Sequence, residues 1–297
     1  MTHPALPPLL DGLAAVADRY DGYLVDLWGV MHNGVAPYPA AVACRAELTR
    51  RGKHVLLLSN APRRSEEAKR RLAAMGIERS LFDELVTSGE ATWQELKAFD
   101  APFYRGLGRR CLPIMAPTDR GMLEGLDIAV VKRTDEADFI LALGIEGPGD
   151  KLDKFESLLQ SAVARDLPMI CANPDLEVMR GDAREICAGA IALRYEELGG
   201  RVRYHGKPHD GVYRRCFALL EGVPRARTLG IGDSLRTDIA GADAAGIDSL
   251  LILGGILEEH LGGPDAVAAS ATDPQQMGRH LATAVAHPDL LMVRFCW

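Results

Sequence analysis

Four short polar stretches of this sequence contain side chains that could do chemistry, and three of them directly follow apolar runs. They are Asp26 with Trp28, Ser59 with Asn60, Lys207, and Asp233 with Asp238. An apolar run of this kind is typical of a buried strand in a parallel sheet, and ligands bind at the carboxyl ends of such strands. Asp26 is therefore expected to be a nucleophile or a metal ligand. Taken alone, it could equally be an aspartate that ends a strand in a turn.

The order of these motifs along the chain is informative. An aspartate followed by a serine, a lysine and an acidic pair resembles the haloacid dehalogenase (HAD) superfamily of aspartate-nucleophile hydrolases. Three further segments resemble the cap signature of its NagD-like and pyridoxal-phosphatase-like branch, in which a large α/β cap lies between the serine and lysine motifs. These segments are Asn173-Pro174-Asp175, Cys187-Ala188-Gly189-Ala190 and Gly206-Lys207-Pro208. The resemblance implies a magnesium-dependent hydrolase, most simply a phosphatase.

Phosphoryl transfer requires a nucleophile and a divalent ion. The acidic residues could supply the nucleophile and bind the ion. Asp26 can attack phosphorus and form an aspartyl-phosphate. Magnesium prefers oxygen ligands and uses one or two carboxylates, which Asp26 and Asp233 would supply. The backbone carbonyl of Trp28 is a third candidate ligand. Asp238 is expected at the same site, where it would support the metal indirectly or begin a helix.

The remaining polar residues would hold the phosphate and the rest of the substrate. Ser59, together with the amide groups that follow it, would bind phosphoryl oxygens, and Lys207 would neutralise charge on the nucleophile and the phosphate. Asn60, Asn173 and Asp175 are predicted to bind substrate, as is Trp28. There is a simpler alternative for two of them, because Ser59 and Asn60 could cap the helix predicted to begin near Pro62.

Trp28 stands where HAD phosphatases usually carry a second aspartate, two residues after the nucleophile. That aspartate protonates the leaving oxygen and then activates water, whereas an indole has no titratable proton at useful pH. General acid–base catalysis is typically worth ~10²–10⁴ in rate, so its loss is a handicap. Relatives that perform dehalogenation also replace this aspartate, although the retained Asp233 and Asp238 fit magnesium and phosphate better. His32 is either a substitute proton donor or an ordinary loop residue.

Composition narrows the class of protein. The chain has 297 residues, 47% of them hydrophobic and 25% charged, which is typical of a globular α/β protein with a sizeable core. A formal net charge of −7 argues against broad nucleic-acid binding. The six cysteines form no C-x-x-C pair, which indicates reduced thiols. With neither a signal-peptide pattern nor a membrane-span-length apolar run, we expect a cytoplasmic protein without membrane contact.

The alternation of apolar runs and helical patterns predicts the domain organisation. We expect a Rossmann-like, doubly wound parallel-sheet core formed by residues 1–89 and 203–297, with an inserted α/β cap over 90–202 that selects the substrate. Apolar residues at helical spacing predict a helix over residues 1–20. The cap is expected to close as a lid over Asp26, and a homodimer through the cap is a further prediction from the resemblance.

Two classes of function remain open at this level. The first is a Mg²⁺-dependent phosphatase that acts on a small-molecule phosphate monoester, such as a sugar phosphate or a nucleotide. The second is a low-turnover ligand-binding or regulatory protein that keeps the fold and the site. The substitution at Trp28 is the feature that keeps the second class open.

Overall fold

A computed structural model describes residues 6–180, 183–256, 258, 263, 266–267, 269, 271, 273–282 and 284–297 of this chain. The chain separates into two compact units. The first unit consists of Met1–Ser59, Lys69–Val86 and Tyr213–Trp297, and the second unit consists of Asn60–Ala68 and Thr87–Val212. The assignment of residues 90–202 as a substrate-selecting cap stays a prediction.

The described strands and helices alternate along most of the chain. The strands are β1 Leu9–Leu10, β2 Gly22–Val25, β3 His54–Ser59, β4 Glu84–Thr87, β5 Arg110–Ile114, β6 Ala129–Val130, β7 Phe139–Ala142, β8 Met169–Cys171, β9 Glu177–Arg180, β10 Ala183–Ile186, β11 Val202–Tyr204, β12 Thr228–Gly232, β13 Asp248–Ile252 and β14 Leu290–Met292. The α-helices are α1 Pro39–Arg50, α2 Ser65–Ala74, α3 Ser88–Ala98, α4 Pro102–Arg105, α5 Glu156–Val163, α6 Ala188–Glu197, α7 Asp210–Leu219, α8 Ala240–Ala245 and α9 Pro274–Leu281.

A seven-stranded sheet in the order β1-β14-β13-β12-β2-β3-β4 forms the core of the first unit. The pairings of β12 with β2 and of β2 with β3 are parallel, and they align Val25 with both Ile231 and Leu57. All residues of β2 are buried, as expected for a central strand covered on both faces. The carboxyl ends of β12, β2 and β3 therefore lie side by side at one edge of the sheet. This edge carries the polar residues that follow each strand.

A five-stranded parallel sheet in the order β11-β8-β7-β5-β6 forms the core of the second unit. Successive residues of β7 point to opposite faces of this sheet. Ile140 and Ala142 pack in one apolar cluster with Leu159, whereas Phe139 packs in another cluster with Leu96. Helices on both sides thus bury the sheet. The α/β fold with parallel sheets predicted from the sequence is confirmed.

One local expectation was wrong. Residues 1–20 do not form a helix over the described part of that segment, which instead contains β1 and two 3₁₀ turns at Leu13–Ala15 and Ala17–Arg19. Pairing of β1 with β14 overrides the helical spacing of the apolar residues in this segment. In the second unit, strands β9 and β10 pair with each other as antiparallel neighbours. Among the described residues, no helix is long and apolar enough to span a membrane.

Candidate active site

Three carboxylates meet at the carboxyl edge of the seven-stranded sheet. Asp26, Asp233 and Asp238 are all buried, and each offers an oxygen within 4.8 Å of the other two. Buried carboxylates this close repel one another unless a cation neutralises them. Oxygen donors of this kind are the ligands that magnesium prefers. The three side chains therefore fit a divalent metal ion.

The sheet and the turn after β12 place these carboxylates. The amide of Asp26 donates to the carbonyl of Ile231 over 2.8 Å, which continues the pairing of β2 with β12 and fixes the first carboxylate next to the end of β12. Asp238 lies inside a wide helical turn, Leu235–Ile239, and its carboxylate accepts the Ser234 amide at 3.2 Å. Asp238 thus lies in the first turn of this helical segment, and Ser234 is the residue that caps it.

Glycines leave the space that the carboxylates occupy. A Cβ atom at Gly29 would lie 1.9 Å from Oδ2 of Asp233, and one at Gly255 would lie 2.2 Å from the same oxygen. Both glycines have positive φ angles, +78° and +88°. The Ile256 amide donates to this oxygen over 2.9 Å. The backbone thus closes around the Asp233 carboxylate so tightly that no larger residue fits at either glycine.

Ser59 is the last residue of β3 and is 7% exposed; it lies two residues after Leu57, which pairs with Val25 at the end of β2. Its position is consistent with the predicted contact to phosphoryl oxygens. The alternative, in which Ser59 and Asn60 cap a helix, was wrong because α2 begins only at Ser65. Asn60 instead bonds to residues far away in the chain.

Trp28 and His32 pack against each other in the loop that follows β2. Their ring centroids lie 5.3 Å apart with an interplanar angle of 71°, and a Cβ atom at Gly34 would lie 2.3 Å from the indole. Nδ1 of His32 accepts the Gly34 amide at 3.0 Å, so the ring proton of the neutral imidazole is on Nε2. Burial lowers the pKa of His32 to about 4. His32 is therefore neutral at pH 7, and the geometry favours the simpler interpretation of this residue as part of the loop.

The other predicted site residues belong to a network within the second unit. The Asn60 side chain accepts from the Lys207 amide at 2.7 Å and donates to the Lys207 carbonyl at 3.1 Å. It also donates to Asp175 over 2.8 Å. Asn173 accepts the amide of Asp175 at 3.1 Å. Asn60, Asn173 and Lys207 are buried, at 3%, 8% and 3% exposure.

Sequence reasoning missed the role of Gly255. Its signal was present, because Gly254 and Gly255 directly follow the apolar end of β13 at the same edge of the sheet as Asp26. A glycine at a strand end indicates close approach of the backbone to another group. The group in question, the carboxylate of Asp233, could be identified only from the structure.

Comparison with known proteins agrees with this architecture. The family described as haloacid dehalogenase-like hydrolase matches residues 23–129, and a second, HAD-hydrolase-like family matches residues 204–283. A solved structure of a haloacid dehalogenase-like hydrolase from Brucella suis superimposes with a TM-score of 0.81 at 30% identity, covering 96% of this chain and 99% of that one. The chain therefore belongs to the haloacid dehalogenase-like hydrolase family.

Curated relatives are named as phosphatases. D-glycerol 3-phosphate phosphatase of Mycobacterium tuberculosis is 27% identical over 246 residues, which is 82% of this chain and 66% of that protein. Ribonucleotide monophosphatase NagD of Escherichia coli is 30% identical over 95 residues, which is 32% of this chain and 36% of that protein. The matched regions thus span only part of both relatives. The predicted resemblance to the HAD superfamily, with NagD among its relatives, is confirmed.

Proposed function

We propose that this protein is a magnesium-dependent phosphatase that hydrolyses a small phosphate monoester through an aspartyl-phosphate on Asp26. The observation that carries this proposal is the cluster of three buried carboxylates, Asp26, Asp233 and Asp238, at the carboxyl edge of the sheet. The phosphatase names of the relatives support the same reaction class. They also suggest a glycerol phosphate or a ribonucleotide as the substrate class.

In the proposed reaction the Asp26 carboxylate attacks phosphorus, and the ester P–O bond breaks, so that the leaving group departs as an alkoxide or aryloxide and takes its proton from solvent water. Ser59 orients the phosphoryl group, and Lys207 offsets its negative charge. A bound magnesium ion would supply further neutralisation of the phosphoryl oxygens. Water then hydrolyses the aspartyl-phosphate and returns Asp26 to its starting state.

Trp28 limits both proton transfers in this scheme. The indole cannot protonate the leaving oxygen or take a proton from the attacking water. Substrates whose leaving group is stable as an anion should therefore react fastest. The same substitution supports the second candidate, a protein that binds the phosphate ester and turns it over very slowly.

The test is phosphate release from D-glycerol 3-phosphate, ribonucleoside monophosphates and 4-nitrophenyl phosphate, with magnesium and with a chelator. We expect release that requires magnesium and that Asp26→Asn abolishes. Asp18→Asn is the matched control, because the side chain of Asp18 is 95% exposed and lies in the same unit. This variant should keep full activity. Binding of these esters without release would favour the low-turnover alternative. If the protein neither binds these esters nor releases phosphate from them, both candidate functions are refuted.

Cytoplasmic location, the homodimer and the lid stay predictions. We propose that residues 90–202 select the substrate, as in the branch that the chain resembles. Exchanging this segment for the corresponding segment of a relative should change which ester is preferred without changing the need for Asp26.

A further inference from the structure

We propose that Asn60 and Asp175 are positioning residues that act through Lys207 and do not bind substrate with their side chains. The proposal rests on the proposed function, in which Lys207 offsets the charge of the phosphate. It concerns two residues for which the sequence predicted a substrate contact.

One side chain fixes both backbone groups of Lys207. Oδ1 of Asn60 accepts from the Lys207 amide over 2.7 Å, and Nδ2 donates to the Lys207 carbonyl over 3.1 Å. A side-chain amide that bonds to both the backbone N–H and the backbone C=O of one residue makes the same pair of hydrogen bonds that a neighbouring β-strand would make. Both residues are 3% exposed, so water cannot easily replace these bonds. The Asn60 side chain thus sets the direction in which the lysine leaves the backbone.

Asp175 holds the Asn60 amide in this orientation. The second hydrogen of Nδ2 goes to Oδ1 of Asp175 over 2.8 Å, so these two bonds use both donors of the Asn60 side chain. A charged acceptor makes this the stronger kind of hydrogen bond. The backbone of Asp175 is itself fixed, because its amide donates to Asn173 over 3.1 Å and its carbonyl accepts the Gly189 amide over 3.1 Å.

Gly206 is what allows Asn60 to come this close. Its φ is +108°, and a Cβ atom there would lie 2.5 Å from Oδ1 of Asn60. Any other residue at this position would push the Asn60 amide away from Lys207. The glycine before the lysine thus leaves the room that the positioning contact needs.

Strand pairing brings the two halves of the network together. Strands β8 and β11 are parallel neighbours, with Cys171 aligned with Tyr204. The residues after their carboxyl ends, Asp175 and Lys207, therefore emerge at the same edge of the five-stranded sheet. Asn60 bonds to both of these segments. The network is a property of the second unit alone.

A double-mutant cycle tests whether Asn60 acts through the lysine. We expect Asn60→Ala to lower kcat/KM for 4-nitrophenyl phosphate by ~10–100-fold, a range typical of lost supporting contacts. In a Lys207→Ala background the same substitution should cost less than about 3-fold, because the group it positions is gone. Asp175→Ala should behave like Asn60→Ala, whereas Asp175→Asn keeps an acceptor oxygen and should retain most of the activity.

The control separates positioning from lost stability. Asp138 accepts the Arg110 amide over 2.8 Å in the same unit, so Asp138→Ala removes a comparable support of the backbone. It should lower the melting temperature without changing kcat/KM. The Kd of inorganic phosphate is measured by calorimetry for the same set of variants, because this measurement needs no turnover.

Equal losses from Asn60→Ala with and without the lysine would overturn the positioning role and leave the proposed phosphatase intact. Such additivity would show that Asn60 contacts the phosphate itself. If the wild-type protein neither hydrolyses 4-nitrophenyl phosphate nor binds inorganic phosphate, the proposed function fails, and the positioning role fails with it.

Discussion

Replacing Trp28 by aspartate tests whether the missing acid–base group limits turnover. The new carboxylate would stand two residues after Asp26, where it could protonate the leaving oxygen. General acid–base catalysis typically contributes ~10²–10⁴ in rate, or about 3–5 kcal/mol of activation free energy. We therefore expect kcat for D-glycerol 3-phosphate to rise by about 100-fold or more.

The same substitution removes packing in the loop after β2. The indole is half-buried and makes an edge contact with His32 at 5.3 Å between ring centroids. Aromatic contacts of this kind are worth ~0.5–1.5 kcal/mol, and loss of a large buried ring costs ~3–5 kcal/mol. For a half-buried ring we expect a loss of about 2 kcal/mol. Domains are stable by ~5–15 kcal/mol, so the variant should remain folded and the gain in rate should be visible.

The assay compares an alkyl with an aryl phosphate in three proteins. Trp28→Asn is the matched control, because it removes the same ring and has nearly the shape of aspartate but no titratable proton. We expect only Trp28→Asp to accelerate hydrolysis of the alkyl ester. The aryl ester should change little, because its leaving group needs little protonation.

Two results would refute this reasoning. Equal rates for the aspartate and asparagine variants would show that position 28 takes no part in proton transfer. Fast hydrolysis of alkyl esters by the wild-type protein, with only losses in both variants, would show that another group supplies the proton. His32→Gln would then be the first variant to measure.

Three further predictions concern the metal, the glycines and pH. Magnesium at ten times its Kd should stabilise the wild-type protein by about 1.4 kcal/mol in thermal unfolding, and Asp233→Asn should remove most of this shift; an unchanged shift would contradict the ligand assignment. Gly255→Ala should abolish the shift by displacing that carboxylate, whereas Gly52→Ala, at a similar φ of +68° with nothing within 4 Å, should only lower stability. Burial lowers the pKa of His205 to about 3, below its unfolded value of ~6.5, so the free energy of unfolding should fall as pH drops through 6.5, by about 2 kcal/mol at pH 5. Urea unfolding at pH 7.5 and 5 should show a smaller loss in His205→Gln, and equal losses would contradict the prediction.

The central part of the fold could be predicted because its strands are long apolar runs. β2 and β3 are buried almost throughout; the polar Asp26 directly follows β2, and the polar Ser59 ends β3, which is a clear signal in the sequence. The two strands at the β1 side of the seven-stranded sheet gave no such signal. β1 and β14 have two and three residues, and their pairing depends on contact between opposite ends of the chain. Local pattern cannot specify a partner that far away.

The strand-end positions of the candidate site residues were predictable, whereas their side-chain contacts were less so. The order of Asp26, Ser59 and Asp233 placed three of its residues at neighbouring strand ends, as the sheet shows. The side-chain partners of Asn60 could not be predicted, because an asparagine after a strand can cap a helix, bind a ligand or bond to a distant backbone. Only the pairing of β8 with β11 selects the third of these.

The sheet order also constrains the sequence of events during synthesis. Every strand of the five-stranded sheet has been synthesised once Tyr204 has been added, so the second unit can fold while the rest of the chain is still being made. β2, in contrast, is made near the start of the chain and must wait for β12. Its buried apolar residues can pair with β3 but lack β12 throughout that interval. Pairing between strands so distant in the chain is slow, and the nascent first unit is therefore the part of this protein that most needs protection from aggregation until its last strands are made.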